Sequence, residues 1–327
     1  MVILKHNAMD TKIIVQQSQM QESQEGQELP ELPQRPPELP ETQRNHRPHR
    51  RGGKRLPKEQ IEINPFLVLC ASLIAIVLAG VLCSYSSTSV NPPDAGKVYQ
   101  NLTIEPMYLQ TSETYFSYED ESRRITSLIG VDVSTHQGEI DWQAVKEAGV
   151  SFAMIRLGFR GYGNGKLVVD EFFEENLTNA QTAGIECGVY FYSQAVDAEE
   201  AQEEANFVLE QLDGRKLSLP IVFDLENPPS DEARTYSVDG EQATQHALAF
   251  CEKIQEAGHQ AMVYMNGHWA SEMYDLEQLS DYPIWYAAYS AFPELSTGLT
   301  MWQYTNQGLV DGVVGDVDLN LLFIKEN

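Results

Sequence analysis

Asp224 and Glu226 stand one residue apart behind the apolar run Leu219-Pro220-Ile221-Val222-Phe223. Side chains at i and i+2 of a strand share a face, so the two carboxyls point the same way with Cβ atoms about 7 Å apart. Crowded at the end of a buried strand, they repel and compete for protons. One pKa then rises, leaving a neutral acid beside an ionised partner near pH 7. Such a pair can cleave a glycosidic bond by general acid catalysis. On an exposed edge strand the same residues would be two solvated acids, so the chemistry depends on the elements that hold them.

From Leu128 to Asn327, short apolar runs alternate with amphipathic stretches. Strands are expected at Ile129–Val133, Phe152–Leu157, Cys187–Tyr192, Ile221–Leu225, Ala261–Met265, Ile284–Ala287, Thr300–Gln303 and Val317–Leu319. Helical patterns fall at Trp142–Ala148, Asp170–Ala183, Ala198–Leu212 and Glu241–Ala257. Asp197 and Asp239 are placed as N-caps, and Gly149, Gly184 and Gly258 as C-terminal stops. After the fifth strand the helices shrink. Eight strands in mainly β-α order predict an α/β, TIM-like barrel; a doubly wound sheet is the alternative, but its glycine-rich phosphate turn is absent.

In a barrel the chemistry collects at the C-terminal strand ends. Asp132 closes the first strand, Asp224 and Glu226 the fourth, and Asp318 falls on the last. The first and last strands are neighbours, so Asp132 and Asp318 should meet across the seam. Tyr190, Tyr192, Tyr264, Trp285, Tyr286, and Trp302 and Tyr304 flanking Gln303 are expected on the same rim, where rings can stack on the C–H faces of sugars. Each ring taken singly also fits core packing. His136 can order the first loop and Arg156 can neutralise the acids.

The rest of the chain is of another kind. Residues 1–64 are rich in Gln, Glu and Pro and are expected to be a disordered cytoplasmic tail. Residues 65–85, uncharged from Phe66 to Tyr85, are long enough for a transmembrane helix. The basic cluster Arg44, Arg47, Arg50, Arg51, Lys54, Arg55 and Lys58 before it predicts a cytoplasmic N-terminus and an extracytoplasmic domain. Residues 86–127 read as a spacer. The chain carries a net charge of −26, which makes nucleic acid an improbable partner. No metal or cofactor is expected, and Cys187 and Cys251 read as buried thiols.

The stretch Leu128–Asn327 resembles glycoside hydrolase family 25, the Chalaropsis-type lysozymes; the tail, anchor and spacer lie outside the resemblance. The resemblance rests on Gly130-Val131-Asp132-Val133-Ser134-Thr135-His136-Gln137-Gly138, Ile140-Asp141-Trp142, Gly188–Tyr192, Pro220–Glu226, Trp285-Tyr286-Ala287, Trp302-Gln303-Tyr304 and Val317-Asp318-Leu319-Asn320. It implies a barrel of five βα units followed by three strands, (βα)5β3. It also implies cleavage of the β-1,4 bond between N-acetylmuramic acid and N-acetylglucosamine in peptidoglycan glycan strands. Carried over, Glu226 is the proton donor, with Asp132, Asp224 and Asp318 as accompanying acids. Tyr190, Tyr192, Trp285 and Gln303 become sugar contacts. Leu225 departs mildly from the family's common Asp-Val-Glu, and Asp316 is an extra acid near Asp318. Two rival readings stay open: a non-catalytic wall-glycan binding module, and a hydrolase of chitin-like N-acetylated glycans.

Overall fold

The computed structural model describes residues 99–112, 114–226, 230 and 233–326. The expected tail, membrane span and first part of the spacer lie outside the described residues. Among the described residues no helix is long and apolar enough to cross a membrane.

Eight strands close into a barrel: β3 (Ile125–Val133), β4 (Phe152–Arg160), β6 (Glu186–Tyr192), β7 (Ile221–Asp224), β8 (Ala261–Asn266), β9 (Ile284–Ala287), β10 (Met301–Gly308) and β11 (Val317–Lys325), while the short β5 (Leu167–Val169) pairs antiparallel with the end of β4. The first seven run parallel, and β3 pairs with β4 to seal the ring. The last strand departs from the TIM pattern. β11 is antiparallel to both β10 and β3, so its first residues, not its last, lie beside the C-terminal ends of the others.

Four helices cover one side of the ring: α1 (Trp142–Glu147), α2 (Phe173–Thr182), α3 (Ala198–Leu212) and α4 (Gly240–Glu256). Their boundaries follow local chemistry. The side chains of Asp197 and Asp239 accept the Glu200 and Gln242 amides, each at 2.9 Å, satisfying N–H groups that the helix leaves unpaired. Gly149 and Gly184 follow α1 and α2 at φ 96° and 75°, a backbone region costly for any residue with a Cβ. After β8 the helix shrinks to one π-turn, Trp269–Met273.

The expected spacer needs correction over its second half, which belongs to the folded domain. Strands β1 (Leu109–Thr111) and β2 (Phe116–Asp120) form a hairpin that pairs onto β3. Phe116 stacks on Tyr304 with ring centroids 4.7 Å apart, and Tyr118 meets Phe323 edge-on at 5.4 Å. The hairpin thus covers strands that have no helix of their own. Upstream, Leu102 bridges to Leu299, and Tyr99 joins the apolar cluster inside the barrel. The Tyr99 hydroxyl donates to the Ser218 carbonyl at 2.9 Å, on the side where β7 begins.

Alternation along the strands separates two cores. Residues such as Val131, Phe191, Phe223 and Trp302 face the helices and hairpin. Phe152, Met154, Val222, Met262, Met301 and Leu322 fill the barrel interior. Gly130 is needed in that inner layer: a Cβ there would lie 2.2 Å from the fully buried Phe152 ring. Cys187 and Cys251 are buried free thiols, and burial pushes Cys187 up to about 12.

Candidate active site

Asp132 on β3 and Asp318 on β11 are direct cross-strand partners in the antiparallel register. Their carboxyls hydrogen-bond to one another. Asp318 reaches the rim because β11 runs backwards, a condition the simple rule of C-terminal strand ends does not supply. Glu226 follows β7 by two residues, on the same face as Asp224. The four acids sense one another, and their location inside a nearly dry ring sets their protonation.

Burial is the first cause for all four. Asp132 and Asp224 are each 6% exposed. Burial raises Asp132 to about 6 despite three hydrogen bonds that favour its ionised form. Asp224 stands well above the usual carboxylate range, first through burial and then through the charges of Glu226 and Asp132. Burial and Asp132 likewise raise Glu226, against a hydrogen bond from Tyr264 that favours the carboxylate. Asp318 is pushed well up by burial and by Asp132 and Glu226. Four carboxyls in one low-dielectric space cannot all ionise at neutrality. Asp224 Oδ1 is buried with no hydrogen-bond partner among the described residues.

Of the expected aromatic residues, Tyr286, Trp302 and Tyr304 face the helices and hairpin instead, because alternation turns them away from Trp285 and Gln303. The others share the inner face but not one role. Trp285 is 2% exposed beneath the rim, with the edges of Tyr264 and Tyr190 at centroid distances of 5.0 and 5.9 Å. Its indole N–H donates to Asn320 Oδ1 at 2.8 Å. Gln303, 4% exposed, donates from Nε2 to Asp132 Oδ2 at 2.9 Å. Gln303 thus supports Asp132 directly and Trp285 supports it through Asn320, and both lie deeper than the rim on which they were expected. Tyr264 is buried as well, while Tyr190 and Tyr192 are half-buried, with Tyr192 opposite Asp224 in the β6–β7 register.

Two residues of the site were not singled out in the sequence. Asn320 donates from Nδ2 to Asp132 Oδ2 at 2.7 Å. It lies two residues after Asp318 on the same strand face, so alternation alone could have found it. Tyr289, 42% exposed, donates its hydroxyl to Gln303 Oε1 at 2.9 Å. It sits in irregular chain after β9, where no periodicity applies.

Arg156 and His136 have other duties. Arg156 Nε pairs with the buried Asp170 at 2.7 Å, and Asp170 also accepts the Thr135 and Phe172 amides, each at 3.0 Å. The guanidinium still favours ionisation of Asp224 electrostatically. The His136 side chain is exposed in the turn after β3, whose geometry is set by Ser134 and Gln137. Asp316 is exposed in the β10–β11 turn, apart from the inner face.

A second buried network braces the chain around Asp224 and Glu226. Glu204 on α3 accepts Arg160 Nε at 2.8 Å and the Ser193 hydroxyl at 2.6 Å. The Ser193 amide donates to the Asp224 carbonyl at 2.7 Å. Arg234, downstream of Glu226, forks onto Glu200 at 2.7 and 2.8 Å.

Residues 131–313, a range that holds Asp132, Asp224 and Glu226 and ends before Asp318, match the family model described as Glycosyl hydrolases family 25. The chain belongs to that family. Lysozyme M1 of Streptomyces globisporus is 31% identical over 201 residues, 58% of this chain and 66% of its own length. The autolytic lysozyme of Clostridium acetobutylicum is 25% identical over 192 residues, 58% of this chain and 54% of its own length. The chain thus spans just under two thirds and about half of these relatives. A solved structure, the Clostridium perfringens spore cortex lytic enzyme SleM, superposes with a TM-score of 0.53 at 27% identity, covering 60% of this chain and 67% of its own. The family 25 match begins at β3 and omits the hairpin before it.

Proposed function

We propose that this family 25 protein is a muramidase, hydrolysing the β-1,4 bond between N-acetylmuramic acid and N-acetylglucosamine in peptidoglycan. The observation that carries it is the convergence of Asp132, Asp224, Glu226 and Asp318 on one inner face, each with its pKa raised. Glu226, its carboxyl raised above the usual range by burial and then by Asp132, gives its proton to the leaving oxygen. Positioned proton transfer of this kind contributes about 10²–10⁴-fold. Asp224 Oδ1, buried and without a donor among the described residues, accepts the N–H of the sugar's 2-acetamido group. The acetamido carbonyl then attacks the anomeric carbon in place of an enzyme nucleophile. Tyr190, Tyr192 and Tyr289 supply the exposed ring surface along the rim.

Mass spectrometry of fragments released from purified peptidoglycan tests this assignment. New reducing ends should carry muramic acid with retained anomeric configuration, and Glu226→Gln should lose turnover while still binding glycan. Glucosamine at the new end would transfer the protein to chitin-like substrates, and an inverted product would remove the acetamido route in favour of water activated by Asp132. Unchanged biological function in Glu226→Gln would identify a binding module.

The uncharged segment at 65–85 further supports a single-pass anchor in the cell membrane, with the N-terminus cytoplasmic and the barrel acting on nearby wall. Fractionation should find the full chain with membranes; recovery of the barrel mainly from the medium would exclude tethering.

A further inference from the structure

Asp132 and Asp318 share a space in which one proton must be held between them, and the geometry around them is asymmetric. Asp132 Oδ2 accepts two amide N–H groups, from Asn320 at 2.7 Å and Gln303 at 2.9 Å. An asparagine side chain can in principle turn around and present its oxygen instead. Here it cannot, because its oxygen is taken by the Trp285 indole at 2.8 Å, and an indole nitrogen only donates. The amide N–H of Asn320 must therefore face Asp132. The Tyr289 hydroxyl donates to the Gln303 oxygen at 2.9 Å, in keeping with the same sense, but a hydroxyl can also accept, so the lock belongs to Asn320.

We infer that Asn320, locked by the Trp285 indole, is a positioning residue that keeps Asp132 the ionised member of its pair and leaves the proton on Asp318. Two N–H donors on one oxygen stabilise a carboxylate and oppose its protonation. The other groups facing Asp132 do not set this choice. Asp132 raises Asp224 on β7 and Glu226 just beyond it, and Glu226 raises Asp318, so these two acids disfavour further negative charge on the pair without selecting which member is ionised. Tyr190, Tyr264 and Tyr289 are held above their ordinary phenolic range and stay neutral. Arg156, from β4, is engaged by Asp170. Asn320 itself is fully buried, so it serves the site without touching a glycan. In a hydrolase acting as proposed above, a carboxylate at Asp132 steadies positive charge at the anomeric carbon while Asp318 stays neutral.

The catalytic consequence rests on the proposed hydrolase reading, whereas the proton assignment does not, so two readouts are needed. In the full chain with ¹³C-labelled aspartate carboxyls, assigned with Asp132→Asn, Asn320→Leu should move the Asp132 titration up. The size is about one pH unit, that of a lost charge-assisted hydrogen bond. The acid limb of kcat/KM on peptidoglycan should rise by the same amount, with kcat lowered and KM little changed. Trp285→Phe frees the asparagine to turn and should shift both in the same direction by less; it carries the test alone if Asn320→Leu does not fold. A purely structural role would lower Tm and leave the titration in place, and folded variants with unmoved titration overturn the inference. If the wild-type chain releases no muropeptides, the hydrolase reading falls and the carboxyl titration still decides the assignment.

Discussion

Asp318 is held protonated where water would ionise it, and that costs the folded state stability at neutral pH. Its folded pKa lies above its unfolded value, chiefly through burial and then through Asp132. A group shifted upward binds its proton more tightly in the folded chain. The folded state is therefore favoured at low pH, and that contribution is lost as pH rises from about 4 through the folded value. Asp318→Asn removes the titration while keeping the shape. It should raise Tm at pH 8 relative to wild type, with the gain shrinking toward pH 4, while activity falls. A gain independent of pH, or a loss at pH 8, would show that Asp318 is not the strained partner of the pair. Most acids and rings of this site are visible in the sequence because period-two alternation is strict: Asp132, Tyr190, Asp224, Glu226, Tyr264, Trp285, Gln303 and Asp318 all share the inner face. Alternation gives the face and not the depth, which is why Trp285 and Gln303 are on it but lie under the rim.

At the level of elements, the strands and helices between Ile129 and Ala287 are legible from apolar runs, capping aspartates and glycine stops, since those signals are local. Strand direction is not. Nothing in Val317-Asp318-Leu319-Asn320 states that it runs opposite to its neighbours; that follows from the short turn after β10, too brief for the crossover a parallel partner requires. The turn carries the function, because only an antiparallel β11 brings its first residues to the rim where Asp132 waits. The β1–β2 hairpin was also hidden. Its sequence is polar because one face meets solvent, and its apolar contacts, Phe116 on Tyr304 and Tyr118 on Phe323, join residues that are distant along the chain. Long-range pairing of this kind leaves no local period. The brace from Glu204 to Ser193 and on to the Asp224 carbonyl is hidden for the same reason.

For the whole molecule, the hairpin and the chain before it change where the domain begins. The family match starts at Val131, and the first expected strand starts at Ile129, both of which suggest that a fragment from Leu128 is self-sufficient. The packing contradicts that. A cut at Leu128 removes the buried side chains of Tyr99, Leu102, Ile104, Tyr118 and Ile125, together with the first part of β3 that pairs with Phe323–Lys325. Burial of each such side chain stabilises by about 1.5–3 kcal/mol, partly offset by the entropy of ordering the segment. The cut also uncovers Trp302, Tyr304 and Phe323 as one apolar patch on the strands that lack helices, an aggregation liability. A chain that keeps Tyr99 should melt cooperatively at least about 10 °C above one beginning at Leu128, given about 2–4 °C per kcal/mol at this size. The shorter chain should also bind a hydrophobic dye. Melting points within about 3 °C of each other, with no dye binding, would mean that strands β9–β11 need no cover and that the segment is a spacer after all.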